Sequence, residues 1–171
     1  MATGTAEVLT TDRLVLRAPS WRDAVFVFRL LSNAETRRYL GGPAPFRRRV
    51  ARTRWILAAG DGTWLVAGAN CGVPMGLISL HAHHDEDAPE MSYEFHPSAW
   101  GQGHATEACR CVMAHAFDRL GVDRLVAETQ AANGPSRRLL DRLGFIPFRR
   151  IERFGAAQVV YVADAPPGRR G

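Results

Sequence analysis

Nine consecutive residues, Trp100-Gly101-Gln102-Gly103-His104-Ala105-Thr106-Glu107-Ala108, have the make-up of an anion cradle. They follow a strand-like run, Glu90-Met91-Ser92-Tyr93-Glu94-Phe95, and open a long amphipathic helical pattern. Glycine lets the backbone take positive φ and approach a ligand closely. The first N–H groups of a helix have no intrahelical partner and point outward at the positive end of its dipole. A pyrophosphate suits that place. In the preceding run, Glu90, Ser92 and Glu94 share one face by the strand period of two. Two carboxylates on one face are candidates for proton transfer, more so where burial raises a pKa.

The spacing separates this turn from other phosphate-binding turns. A P-loop needs Gly-Lys-Ser/Thr at the helix start. The chain contains no lysine, and all 22 of its basic residues are arginine. A dinucleotide fingerprint needs Gly-x-Gly-x-x-Gly after a strand, with an acid about 20 residues on. Here Thr106 stands at the third position, and the strand lies mid-chain.

The 171 residues suit one domain, 1–171, with a full core. A hydrophobic share of 46% and a charged share of 23% are those of an ordinary globular chain. No apolar run approaches the roughly 20 residues that span a bilayer. Met1 to Thr11 lacks a basic region followed by an apolar one, so no secretory signal is expected. Three cysteines without a framework spacing fit a reducing cytoplasm. The net charge of +5 reads either as a solvated, arginine-rich surface or as attraction for a polyanionic ligand, and no recognition motif points to nucleic acid.

Arg13 to Arg17 alternates polar and apolar residues and predicts a first strand. Ser20 is placed to cap a helix running to about Leu31. Ala34 to Leu40 is expected as a second short helix, stopped by Gly41-Gly42-Pro43, and Phe46 to Ala59 as a third. Thr63 to Ala69 and Met75 to His81 then read as a hairpin about Asn70-Cys71-Gly72. His83 to Pro89 is a polar loop and Glu90 to Phe95 the fourth strand. Gln102 to Leu120 is the main helix, with Ala105, Ala108, Val112, Ala116 and Leu120 at helical spacing. Leu125 to Thr129 is a strand, Asn133 to Leu143 a helix ended by Gly144, and Phe145 to Arg153 with Ala157 to Val162 a closing hairpin. Residues 1–10 and 165–171 are expected as loose ends. The order predicts an α/β (α+β) fold with helices on both faces of a mixed sheet, strands four and five being parallel.

With these residues, the chain resembles the GNAT superfamily of acyl-CoA-dependent N-acyltransferases, from about Thr11 to Ala163. The family's pyrophosphate loop, Gln/Arg-x-x-Gly-x-Gly/Ala, is matched by Trp100 to Ala105, with Trp100 in place of the usual Arg or Gln. Trp-Gly-x-Gly-x-Ala-Thr-Glu-Ala resembles the RimJ/RimL-like branch. So do Leu9-x-Thr11-x-Arg13-Leu14-x-Leu16-Arg17 and Asn133-x-x-Ser136-x-x-Leu139-Leu140-x-x-Leu143-Gly144-Phe145. The resemblance implies a mostly antiparallel, twisted sheet of six to seven strands with a splayed parallel pair at strands four and five. It implies acetyl-CoA as cosubstrate, a primary amine as acceptor, direct attack without a covalent enzyme intermediate, and no metal. Cofactor contacts fall on Tyr93, Glu94, Phe95, Gly101, Gln102, Gly103, His104, Ala105, Thr106, Asn133 and Ser136. Tyr93 and Phe95 would offer backbone hydrogen bonds to the pantetheine arm. Asn133 would contact the cofactor, cap its helix, or do both. Arg137, Arg138 and Arg142 would meet nucleotide phosphates or lie in a solvated face.

Glu90 matches the family position of the general base, with Glu94 as its rival on the same face. Many family members place a tyrosine where this chain has Asp141, so Ser136 or water remains as the donor to the leaving sulfur. The acceptor groove would be walled by Asn33 to Phe46 and by the hairpin near Phe148 to Gln158. The acceptor is a protein N-terminus, an aminoglycoside, a polyamine or a small metabolite amine. Polycations suit this basic chain only if Glu90, Glu94 and Asp85-Glu86-Asp87 make the groove acidic. The protein would act as a monomer or homodimer.

Two further patterns are read as structural. His81-x-His83-His84-Asp85-Glu86-Asp87 crosses from strand to loop, where its side chains do not converge as metal ligands must. Cys109 and Cys111, two apart on a helix, do not face each other and read as buried thiols. A weakly catalytic acyl-CoA-binding sensor and a nucleic-acid-associated protein are the alternatives from other classes.

Overall fold

The computed structural model describes residues 7–59 and 62–167. Its eight strands form one sheet: β1 (Leu9–Thr10), β2 (Leu14–Arg17), β3 (Thr63–Gly68), β4 (Pro74–Ala82), β5 (Pro89–Phe95), β6 (Arg124–Gln130), β7 (Ile146–Arg153) and β8 (Ala156–Asp164). The spatial order is β1-β2-β3-β4-β5-β6-β8-β7. Every neighbouring pair is antiparallel except β5 and β6, which are parallel. These two are the strands expected as fourth and fifth.

Helices cover both faces. On one, Val27, Leu30 and Leu31 of α1 (Ala24–Ser32) and Ile56 and Leu57 of α2 (Phe46–Ala59) pack on Leu65, Ala67 and Leu77. On the other, α3 (His104–Asp118) and α4 (Gly134–Leu143) bury Ala108, Cys109, Val112, Leu139 and Leu140 against Leu14, Trp64, Ile78, Met91 and Tyr161. Strand β3 is buried along its whole length, as a strand sandwiched between two helical layers must be.

Several expectations need correction. The sheet has eight strands rather than six to seven, because the two-residue β1 pairs with β2 and is too short to show a period. Leu9 and Thr10 are therefore not loose, while residues 1–6 lie outside the described residues. At the other end the Ala165 amide donates to the Asp123 carbonyl, and 168–171 lie outside the described residues. Ala34 to Leu40 is a run of turns, not a helix. The Asn33 side chain accepts the Thr36 amide there, and the chain closes on itself through Arg38→Glu35 and Leu40→Arg37 bonds. Seven residues followed by two glycines with positive φ cannot sustain a costly helix nucleus. The main helix begins at His104, since Gly103, its N-cap, takes φ 79°.

Strands β4 and β5 approach so closely at Gly76 that a Cβ there would stand 2.6 Å from the Glu94 carbonyl oxygen and 2.6 Å from the Phe95 ring. Gly76→Ala is expected to cost about 1–3 kcal/mol by overpacking. The readout is a lower urea midpoint at unchanged m-value.

Candidate active site

Pairing between β5 and β6 is registered at Glu90↔Val126. Beyond it the two strands part, and a cleft of about 740 Å³ opens between the end of β5 and the start of α4. Tyr93, Glu94, Phe95, Trp100, Gly101 and Gly103 line one side. Asn133, Ser136 and Leu139 line the other, with Arg138 and Arg142 along the same helix, and Ala105 and Thr106 at the start of α3 complete it. The cleft thus gathers nine of the predicted cofactor residues. Three predicted residues lie outside its lining: Glu90, Gln102 and His104. The Gln102 amide is tied back to the Ser98 carbonyl (2.8 Å), and the buried Nδ1 of His104 has no protein partner.

The glycine turn is held from below. Gly101 and Gly103 have φ of 73° and 79°, which side-chain-bearing residues rarely adopt. Gly103 leaves the start of α3 without a side-chain cap, so its leading amides keep their donors open. The Trp100 indole donates to the Phe95 carbonyl (3.0 Å), and Thr36 Oγ1 donates to the same oxygen (3.2 Å). Both lone pairs of that carbonyl are then engaged. This is the structural use of the tryptophan that replaces Arg or Gln. From the residue just before β2 the Arg13 guanidinium reaches the turn: Nη1 donates to the Gln102 carbonyl (3.1 Å) and Nε to Glu107 Oε2 (2.7 Å). Thr11 Oγ1 and the Arg13 amide donate to the other carboxylate oxygen. Burial pulls the Glu107 carboxyl upward, but these bonds outweigh it and hold the group below its usual value. Sequence reasoning missed this clamp, whose partners lie 94 positions apart.

On the α4 side of β5, the Tyr93 hydroxyl stands 2.7 Å from Ser136 Oγ. Burial raises the Tyr93 phenol well above its ordinary value, partly opposed by the bond to Ser136, so it stays protonated. Asn133 Oδ1 accepts the Ser136 amide (3.2 Å) and caps α4. The Tyr93 hydroxyl was not foreseen as a functional group. The alternation Met91, Tyr93, Phe95, which turns it toward α4, was the signal. Arg137 is committed elsewhere, donating to Tyr161 Oη (3.0 Å) and the Ala131 carbonyl (3.3 Å). Arg138 and Arg142 line the cleft, whereas Asp141 does not.

Glu90, Ser92 and Glu94 face the α1/α2 side. Burial lifts the Glu90 carboxyl above its ordinary value. The Ser92 hydroxyl, donating at 3.1 Å, and the nearby His83 and His84 pull it back, while Glu128 adds to the rise. Glu94 is engaged by Arg37 (3.3 Å) and Arg52 (3.5 Å). Arg37 also ties down the Leu40 and Gly42 carbonyls, which fixes the 33–46 wall to β5. The acidic run 85–87 does not make an open acidic groove. Asp85 is bonded by Arg153 and by Arg149 (3.2 Å), and Glu86 by Arg149 (2.7 Å).

His83 is buried, with Nδ1 accepting the Asp85 and Glu86 amides and Nε2 3.3 Å from Glu128, so it knots this loop to β6. Among the described residues no three His, Cys, Asp or Glu side chains are grouped to hold a metal ion. Burial raises the Cys109 thiol far from nucleophilic use.

A family model described as Acetyltransferase (GNAT) domain matches residues 13–146. A Bacillus subtilis (strain 168) protein described as "Uncharacterized N-acetyltransferase YoaA" is 30% identical over 145 residues, covering 81% of this chain and 82% of its own. An acetyltransferase (GNAT family) from Bacillus anthracis superimposes with a TM-score of 0.82 at 19% identity, over 93% of this chain and 99% of that one. RimL, a ribosomal alpha-N-protein acetyltransferase solved in complex with coenzyme A, does so at 0.74 and 19%, over 92% and 98%. No helix of the described residues is long and apolar enough to cross a membrane.

The raised Glu90 carboxyl has a stability consequence. A group whose pKa rises on folding stabilises the fold below its unfolded value, and that contribution is lost as pH climbs through the folded value. At neutral pH the buried charge is therefore a cost. Glu90→Gln keeps an oxygen for Ser92 and removes the charge. The variant is expected to melt higher than the parent near neutrality, the gap closing toward about pH 4. Thermal unfolding at both pH values checks this.

Proposed function

The chain belongs to the GNAT acetyltransferase family, and from that premise we propose that it is an acetyl-CoA-dependent N-acetyltransferase of RimJ/RimL-like type, a single cytoplasmic domain acting on a primary amine. The observation that carries the reading is the parting of β5 from β6 directly beside an uncapped helix start. A cleft of about 740 Å³ is of the size that holds a small cofactor arm. The residues fit such a group. The amides from Gly101 to Thr106 would take its pyrophosphate, with Arg138 and Arg142 for further phosphate charge. The exposed backbone of Tyr93 would pair with its extended arm as an added strand does. Acetyl-CoA, as donor substrate, brings a thioester carbonyl that an amine can attack.

The chain's own residues then hold and move protons. Glu90, whose carboxyl burial lifts above its ordinary value, takes the proton that the attacking nitrogen loses, directly or through water. Glu94 is the weaker base, since two arginines already occupy it. The Tyr93–Ser136 hydroxyl pair lies on the opposite side of β5. It supplies a hydrogen-bond donor to the departing sulfur, the role for which Asp141 is unsuited. The C–N bond forms, the C–S bond breaks, and the acetyl group ends on nitrogen.

Release of free thiol from acetyl-CoA in the presence of primary amines tests the reading. Gly103→Glu should abolish it, because φ 79° strains any side chain and a carboxylate repels the pyrophosphate. Tight acetyl-CoA binding without thiol release across a broad amine panel would point instead to a sensor. Arg13 should act on donor affinity through the turn it clamps. Arg13→Ala is expected to raise KM for acetyl-CoA roughly tenfold, the worth of a charged hydrogen bond, while kcat falls much less. Arg13→Lys should restore little, since lysine cannot reproduce the two-pronged contact. Steady-state kinetics separate the two parameters.

A further inference from the structure

Glu94, a single negative charge, faces two guanidiniums. Arg37, nearly buried, satisfies it while spending its other donors on the Leu40 and Gly42 carbonyls. Arg52 stands 3.5 Å from the same carboxylate, yet its side chain is 57% exposed. It belongs to α2, which carries Arg47, Arg48, Arg49, Arg52 and Arg54 and no acid. Arg52 also lies close enough to His81 to help burial lower that ring's pKa, so His81 adds no positive charge near neutrality. His81 is the cross-strand partner of Glu90. The Trp55 ring, 54% exposed and one turn along α2 from Arg52, is 6.2 Å from His81.

The α2 side of β4 and β5 therefore carries an exposed guanidinium, an exposed aromatic ring and, one cross-strand step from the His81 that this ring approaches, a desolvated carboxylate. Of the other charges nearby, Glu35 and Arg38 line the cleft mouth, Glu128 is bound by Arg153, and His83 and His84 stand near Glu90.

We propose that this surface selects an acceptor that is an aminocarboxylate, the amine set toward Glu90, the carboxylate on Arg52 and an apolar body against Trp55. This rests on the acyltransferase reading of the cleft and narrows its acceptor from any primary amine to a zwitterion. A polycation meets the arginines of α2 and is disfavoured by like charge. The carboxylate–guanidinium contact is partly exposed, so its contribution weakens as salt rises.

L-phenylalanine and L-phenylalaninamide are the matched probes, equal in shape and differing in the carboxylate. Each is titrated calorimetrically into the full-length protein saturated with coenzyme A, and each is also offered as acceptor with acetyl-CoA. The acid should bind about tenfold more tightly than the amide. The ratio should collapse toward one in Arg52→Gln, invert in Arg52→Glu, and shrink as sodium chloride is raised. A ratio near one in the parent, a preference that survives Arg52→Gln, or no binding of either probe overturns the proposal. The two readings fail separately. Preferential binding with no thiol release from acetyl-CoA, by these probes or across the amine panel, leaves this surface standing and removes the transferase. Transfer to both probes with equal kcat/KM does the reverse.

Discussion

Everything at the centre of this molecule depends on two parallel strands that stop pairing. β5 and β6 are joined at Glu90 and Val126 and then diverge, although β6 goes on pairing with β8 as far as Gln130. A gap inside a sheet exposes backbone donors and acceptors that folded proteins ordinarily satisfy. Its persistence is intelligible only if the flanks hold it open. They do so by covalent neighbours and by charge. The end of β5 passes through a short 3-10 turn, Pro97–Ala99, into a glycine turn whose conformation no other residue type adopts cheaply, and α4 begins with a capped turn on the opposite bank.

Arginine does most of that holding. Arg13 fixes the turn to the first strands, Arg37 fixes the 33–46 wall to β5, and Arg153 with Arg149 fixes the 83–88 loop to the closing hairpin. Each contact uses two or more donors of one guanidinium at once, or joins it to more than one acceptor. Lysine, a point charge on a flexible stem, holds neither geometry as well. In a chain without lysine, these four guanidiniums brace the site from within. Arg52 is conspicuous as a cation whose partner is already satisfied.

What could be read from sequence was what local physics determines. The glycine spacing, the shift from a helical period to a period of two, and the caps at Asn133 and Gly144 placed α3, α4 and β3 to β6 with little error, and nine of the residues singled out on them line one cleft. Local signals failed where a segment's structure is imposed from outside. Ala34 to Leu40 has helical composition but is pulled into turns by Asn33 and by Arg37 reaching forward to Gly42. β1 exists only because β2 offers an edge. The Tyr93–Ser136 pair spans 43 positions, and its members come from a strand and a helix whose relation no periodicity encodes. The same holds for the Arg13 clamp. The sequence supplied the residue types at the site, but their partners are a property of the fold.

The two faces of β5 divide the chemistry. Tyr93 and Ser136 lie on the side packed by α3 and α4, where burial keeps hydroxyls protonated and able to donate. Glu90 and Glu94 lie on the side of α1 and α2, where one carboxylate is desolvated and the other is bound by arginines. A single strand therefore presents a proton donor to one side and a proton acceptor to the other, and alternation along its backbone prevents them from neutralising each other. A ligand threaded through the gap would meet both. Glu90 sits at the registered β5–β6 pair, so the residue made costly to ionise by burial has a strand partner on both sides, His81 and Val126. Placing that desolvated carboxylate where the strand is paired, rather than in the open cleft, fixes the backbone that carries it.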